Sequence, residues 1–194
     1  RYQIAFNVVC PELVKRFALK LDVAKNIVLT VGHLPYAAVT AGNHITVDDG
    51  FASQNPKQVV GALIHELTHA VQHYNGGAPF WFTEGMADYV RAIYGPADDD
   101  WAMPPVQPGD DYTKGYRISA RFLIWVQQHT TPTIVDQLNH AIQTQTGQQS
   151  FSATFQRLTG STARDLWNRY IANPKLALFQ RIPAPDTITS IGNQ

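Results

Sequence analysis

The sequence predicts an α+β fold. It reads as a small N-terminal α/β lobe with a short mixed sheet, then a mainly helical C-terminal lobe, with a cleft between them. Three observations carry this expectation. The clearest β-branched runs lie within the first fifty residues. Apolar residues at helical spacing dominate from Pro56 onward. A loop rich in proline, glycine and aspartate, Pro96 to Asp111, separates the two regimes. The 194 residues fit one domain: 1–95 as the first lobe, 96–111 as the loop, 112–175 as the helical lobe and 176–194 as an extended tail.

Ile4 to Val9 is a short β-favouring run, closed by Cys10-Pro11. Pro11 to Ala24 reads as a helix, with Val14, Phe17, Ala18 and Leu21 as its stripe. Asn26 to Val31 reads as a buried strand, broken by Gly32 to Pro35. His44 to Val47 is a second strand, ended by Asp48-Asp49-Gly50. Asn55 and Pro56 are a plausible cap and first residue for the next helix. Val59, Val60, Leu63, Ile64, Leu67 and Val71 run along it, and Asn75-Gly76-Gly77 ends it. A further helix covers about Phe82 to Tyr94, stopped by Gly95-Pro96. Helices are then expected at Tyr112–His129, Pro132–Thr144, Phe151–Leu158 and Thr162–Ala172.

Composition narrows the class. An apolar fraction of 44% supports a core without covalent staples. Fifteen basic residues balance fifteen acidic ones, so charge offers no case for nucleic acid or for an anionic membrane. No apolar run reaches the ~18–20 residues that span a bilayer. Cys10 is the single cysteine, so no internal disulfide forms. Low charge and abundant Thr, Asn, Gln and Ser suit a secreted or periplasmic protein. Arg1 in place of an initiator methionine reads as a processed chain, compatible with a removed signal peptide. A monomer is expected.

The chemistry concentrates in His65-Glu66-Leu67-Thr68-His69, an H-E-x-x-H pattern in the middle of the best helix. Histidines four residues apart lie about 40° apart around a helix, one turn above the other, so both can face one metal ion. The glutamate after the first histidine stands beside the open metal position, where a base is needed. Zinc is the expected metal. A hydrolytic zinc site takes three protein ligands and one water. The chain has three glutamates, Glu12, Glu66 and Glu84, and Glu84 offers the third ligand from the helix that follows a glycine turn. Asp88, one turn further on the same face, offers an acceptor for the free ring N–H of a ligating histidine. His73 repeats the four-residue spacing and is the alternative third ligand. It lies two turns and about 80° from His65, which strains a shared ion. The extended pattern H-E-x-x-H-x-x-G-x-x-H is absent, because Gln72 and Asn75 occupy the glycine and third-histidine positions.

The stretches Gly61 to Gln72 and Glu84 to Arg91 resemble the plant basic secretory proteins and their microbial relatives. So do Gly115 to Phe122 and Leu166 to Tyr170. The resemblance covers about Ile45 to Asn173. It implies a zinc metallopeptidase of the gluzincin type, with a ligand set similar to that of thermolysin, and it implies secretion. The chain departs from these relatives in being neutral rather than basic, and in having Val71 where many have an aromatic residue.

That resemblance gives an expected mechanism. Zinc lowers the pKa of its water towards ~7, and Glu66 acts as general base. The oxyanion needs another donor, and Tyr116, in the family-like Gly-Tyr segment, is the first choice. Tyr112, His129 and Arg117 are alternatives, and Tyr116 as a packing residue is the competing reading. By analogy with gluzincins, strand His44–Val47 lines the cleft and pairs with extended substrate. The substrate is a peptide or protein, glycosylated or not, cut by endo- or exo-action. The rival class is a zinc-containing binding or defence protein without turnover, which an intact Glu66 argues against. Asp48-Asp49 and Asp98-Asp99-Asp100 read as solvated turns rather than calcium loops. His33, His44 and His140 read as ordinary surface or loop residues. Trp81, Trp101, Trp125 and Trp167 read as packing, with Trp101 the one placed to touch substrate.

Overall fold

The computed structural model describes residues 5–18, 26–74, 77–144 and 150–177. They form an α+β fold with a three-stranded mixed sheet and eight α-helices among the described residues. The chain falls into two compact units. The first takes in residues up to 71 together with 90–101. Among the described residues, the second takes in 72–89 and 102–177. No helix of the described residues is long and apolar enough to cross a membrane.

In the first unit, the β-favouring run Ile4–Val9 is helical over its described residues. Ala5–Val9 is a π-helical turn that runs into α1 (Cys10–Phe17). Ala5, Val9, Leu13 and Phe17 recur every four residues, and all are buried. That 3.6-type stripe outweighs the β-branched content of a run that pairs with no strand among the described residues. The rest of the expected helix, beyond Ala18, lies outside the described residues.

The sheet contains β1 (Val28–Gly32), β2 (Ala38–Ala41) and β3 (His44–Asp48), in the order β1-β3-β2. β1 runs parallel to β3 and β2 antiparallel to it. β1 is not the buried strand its composition suggests. Val28 and Val31 are 45% and 51% exposed, because β1 is an edge with β3 as its neighbour. β3 is central, with Ile45 and Val47 fully buried. Both its sides are paired within the sheet, so it cannot take an extended peptide as expected for His44–Val47. β2 was not foreseen. The turn Gly42-Asn43 joins it to β3, with Gly42 at φ 64, a backbone state that glycine adopts without steric cost.

Asp48 ends the sheet and starts α2 (Asp49–Gln54). Its carboxylate accepts from the backbone N–H of Phe51 at 2.6 Å and of Leu34 at 2.8 Å. These two bonds hold its carboxyl below the usual carboxylate range. Next comes α3 (Val59–Gln72), which begins three residues later than the Asn55-Pro56 signal suggests. Asn55 closes α2, and its carbonyl accepts from Gln58 and Val59 through an intervening turn.

α3 is held in the first unit by a buried ion pair. Arg91, near the end of α4 (Phe80–Tyr94), donates from Nε and Nη2 to Asp99 at 3.0–3.2 Å. The guanidinium also reaches the Gln58 carbonyl at 3.4 Å and lies 4.9 Å from the Trp101 ring. A Cβ on Gly61 of α3 would collide with Asp99 and Arg91, so glycine is what admits the pair. Asp99 is therefore no solvated turn residue, and Trp101, 6% exposed, packs on Arg91.

The second unit is built on α5 (Tyr116–His129), α6 (Ile134–Thr144), α7 (Phe151–Thr159) and α8 (Ala163–Ala172), preceded by a 3-10 turn at Tyr112–Lys114. These match the expected helices within two residues, except that Gly115 breaks the first. Ser150 and Thr162 cap α7 and α8 by accepting from Ala153 and Asp165 backbone N–H groups. Trp81, Phe82, Phe122, Phe155, Trp167 and Tyr170 form an aromatic core with ring centroids 4.9–6.2 Å from one another or from Phe151. The expected tail falls mostly outside the described residues.

Candidate metal centre

The site starts from α3. Residues 59–68 are all buried, so the helix is enclosed around most of its surface. Thr68, buried in it, turns its hydroxyl onto the Ile64 carbonyl at 2.8 Å and so satisfies itself. His65 and Glu66 are 9% and 8% exposed, and His69 is half-buried. Burying two imidazoles and a carboxylate on one helix turn is costly unless they have partners.

The histidines have them. His65 Nε2 and His69 Nε2 approach to 3.1 Å, with the rings edge-to-face at 82°. Two ligands bound at the usual zinc–nitrogen distance to a tetrahedral ion stand roughly 3.3 Å apart. The nitrogens are thus spaced as a shared cation requires, and a shared proton suits the same spacing. Glu84 joins them: one ligand atom each of His65, His69 and Glu84 lie within 4.8 Å of one another. Two imidazoles and one carboxylate are a donor set that zinc accepts, with a fourth position left for water. The residues fit the metal expected from the motif.

Glu84 lies in the second turn of α4, on one face with Phe80 and Asp88. Phe80 is 56% exposed, Glu84 half-buried and Asp88 3% exposed, so the face passes from surface to interior along the helix. Gly115 packs against this face in the second unit. A Cβ there would stand 2.7 Å from Phe80 Cε1 and 3.5 Å from Glu84 Cβ, and φ is 76. Tyr116 follows, also at positive φ (49), with its ring edge-on to Phe80 at 5.7 Å. It is 48% exposed, so it stands at the surface end of the Glu84 face rather than in the core.

Two of the alternative donors have ring contacts within the second unit. Tyr112 packs among Trp81, Phe122 and Trp167 with Arg164 over its ring. His129 stacks on Trp125 and meets its carbonyl through Nδ1 at 2.8 Å. Arg117 is exposed. His73 lies just past the end of α3, exposed and at φ 44, and is not among the grouped ligand atoms.

Two features escaped the sequence. Thr40 of β2 donates from Oγ1 to Glu66 Oε2 at 2.6 Å and also contacts the Glu66 carbonyl at 3.0 Å. The Gly42-Asn43 turn signal was the clue to its strand. His33, Asp48 and Asp49 form a second grouping of possible ligand atoms. There His33 is 93% exposed and both Asp48 oxygens already serve backbone N–H groups.

An α+β fold in which two histidines of one helix and a glutamate of the next gather their ligand atoms defines a class of protein with a helix-borne candidate metal centre. The chain belongs to the BSP family, described as a peptidase of plants and bacteria, which matches residues 14–170. This is the basic secretory protein family that the motifs resemble, and its substrates are peptides or proteins. No curated protein and no solved structure matches the chain.

Proposed function

We propose that the chain is a secreted zinc endopeptidase that hydrolyses extended peptide substrates. The observation that carries this reading is the gathering of His65, His69 and Glu84 ligand atoms beside the buried Glu66. Membership of a peptidase family supports it, and the family resemblance together with low charge supports export.

In this reading His65, His69 and Glu84 hold the ion. When bound, zinc supplies the Lewis acidity that acidifies a water and polarises the scissile carbonyl. Glu66 takes the proton from the attacking water and passes it to the leaving amine. Asp88, buried one turn beyond Glu84, orients a ligating histidine by accepting its ring N–H. Tyr116 donates its phenolic proton as a hydrogen bond to the oxyanion. Extended substrate pairs with the outer edge of β2, since β3 is occupied on both sides.

The test is Glu66→Gln, which keeps the shape of the side chain and removes the base. The expected outcome is unchanged zinc content and a loss of peptide cleavage of about 10²–10⁴-fold. Wild-type cleavage by the variant would overturn the mechanism.

A further inference from the structure

The contact between Thr40 and Glu66 has no counterpart in the ligand set. Glu66 is buried, yet among the described residues its carboxylate takes a side-chain hydrogen bond from Thr40 alone. Thr68, the other hydroxyl on this part of α3, is occupied by the Ile64 carbonyl. The Thr40 hydroxyl carries one proton. Its 2.6 Å approach to Oε2 against 3.0 Å to the carbonyl assigns that proton to the carboxylate.

The placement is built by the sheet. Thr40 pairs with Ile45 across β2 and β3, so the two side chains share a face of the sheet. Ile45 is fully buried on that face, which fixes the register of β2. A one-residue slip would turn Thr40 away from α3. A β-branched residue is also restricted at χ1, so the hydroxyl is held in direction as well as in place.

We infer that Thr40 is a positioning residue for the general base. By engaging Oε2, it leaves Oε1 as the oxygen that faces the attacking water. This rests on the proposed role of Glu66. A glutamate has three rotatable side-chain bonds, and a base must come within hydrogen-bond reach of its proton to act. Misplacing a reacting group by about 1 Å can cost on the order of 10²-fold. The hydroxyl is then a determinant of kcat, and it leaves metal binding and substrate binding alone because a substrate pairing with β2 would use backbone groups rather than the Thr40 side chain.

Thr40→Val keeps the shape and removes the hydroxyl, and Thr40→Ser keeps the hydroxyl. With a quenched-fluorescent peptide that the wild type cleaves, T40V is expected to lose about 10–100-fold in kcat at unchanged KM. T40S is expected to stay within about threefold of wild type. Zinc content should be equal in all three. Crystal structures of the metal-free proteins give a second readout: the Glu66 carboxylate turns in T40V and keeps its direction in T40S. If T40V fails to fold, the T40A and T40S pair carries the same comparison. The inference is overturned if T40V cleaves as wild type does, or if T40S is as impaired as T40V. E66Q measured alongside separates the two claims. An active E66Q removes the base itself, whereas an inactive E66Q beside a fully active T40V removes only the role of Thr40.

Discussion

Tyr116 occupies a backbone state that a side chain rarely adopts, one residue after a glycine in the same region of φ. Such strain costs on the order of 1–3 kcal/mol and persists where its surroundings enforce it. Here the enforcement is visible. Gly115 lies against Phe80 and Glu84, and Tyr116 caps Phe80 edge-on. The strain therefore places a phenol next to the face that carries Glu84. Tyr116→Phe keeps the ring contact with Phe80 and removes the donor. The expected result is a fall in kcat of about 10²-fold with little change in KM or thermal stability. Steady-state kinetics and a melting curve check it, and unaltered kcat would return Tyr116 to a packing role. His65, Glu66 and His69 could be read from the sequence because helix spacing alone puts them on one turn, and Glu84 because it lies near the start of the helix that follows the glycine turn. Thr40 could not, because nothing at position 40 distinguishes a functional threonine from any other.

Elements carry these residues only as firmly as they are anchored. α3 is anchored in the first unit by Arg91 and Asp99, 8% and 2% exposed at their side chains. Such a pair adds little net stability against well-packed apolar residues, but breaking it leaves a buried charge. Asp99→Ala is expected to destabilise the protein by about 3–5 kcal/mol, seen as a lower urea midpoint. The companion change Gly61→Ala inserts a methyl group where the pair stands and should also destabilise. A midpoint unaltered in D99A would show that the pair does not hold the helix. Sequence periodicity found α3, α4 and the later helices, since a helix is built from contacts three and four residues apart. It misplaced the first element, where β-branched residues also fit a helical stripe. It also misjudged the sheet, since strand order depends on pairing between residues distant in sequence.

Across the whole molecule, carboxylates paired in the folded state make stability depend on acid. Burial alone would raise the pKa of Asp111, but the Arg164 guanidinium and the Thr113 hydroxyl and N–H bring it down to about 2. Asp48 is also held below its usual value, by backbone N–H groups. An unfolded aspartate titrates near ~3.9. Between that value and about 2, the unfolded chain binds more protons than the folded one. The stabilisation is therefore complete above the unfolded pKa and is lost as pH falls through about 2. Urea midpoints between pH 5 and pH 2 should decline, and Asp111→Asn should flatten part of that decline. An equal slope in D111N would show that the Arg164 contact persists in the unfolded chain or is absent from the folded one.

The sequence by itself determined the helix that bears His65, Glu66 and His69, the α+β class and most helix boundaries. These are decided by neighbours within a few positions, through backbone hydrogen bonds and apolar stripes that repeat at short range. Only the tertiary structure decided which strand lies at the edge and that the Thr40 hydroxyl bonds to the Glu66 carboxylate. Each of those depends on residues brought together across a long stretch of chain. Loop closure and packing select such meetings, and no local pattern encodes them.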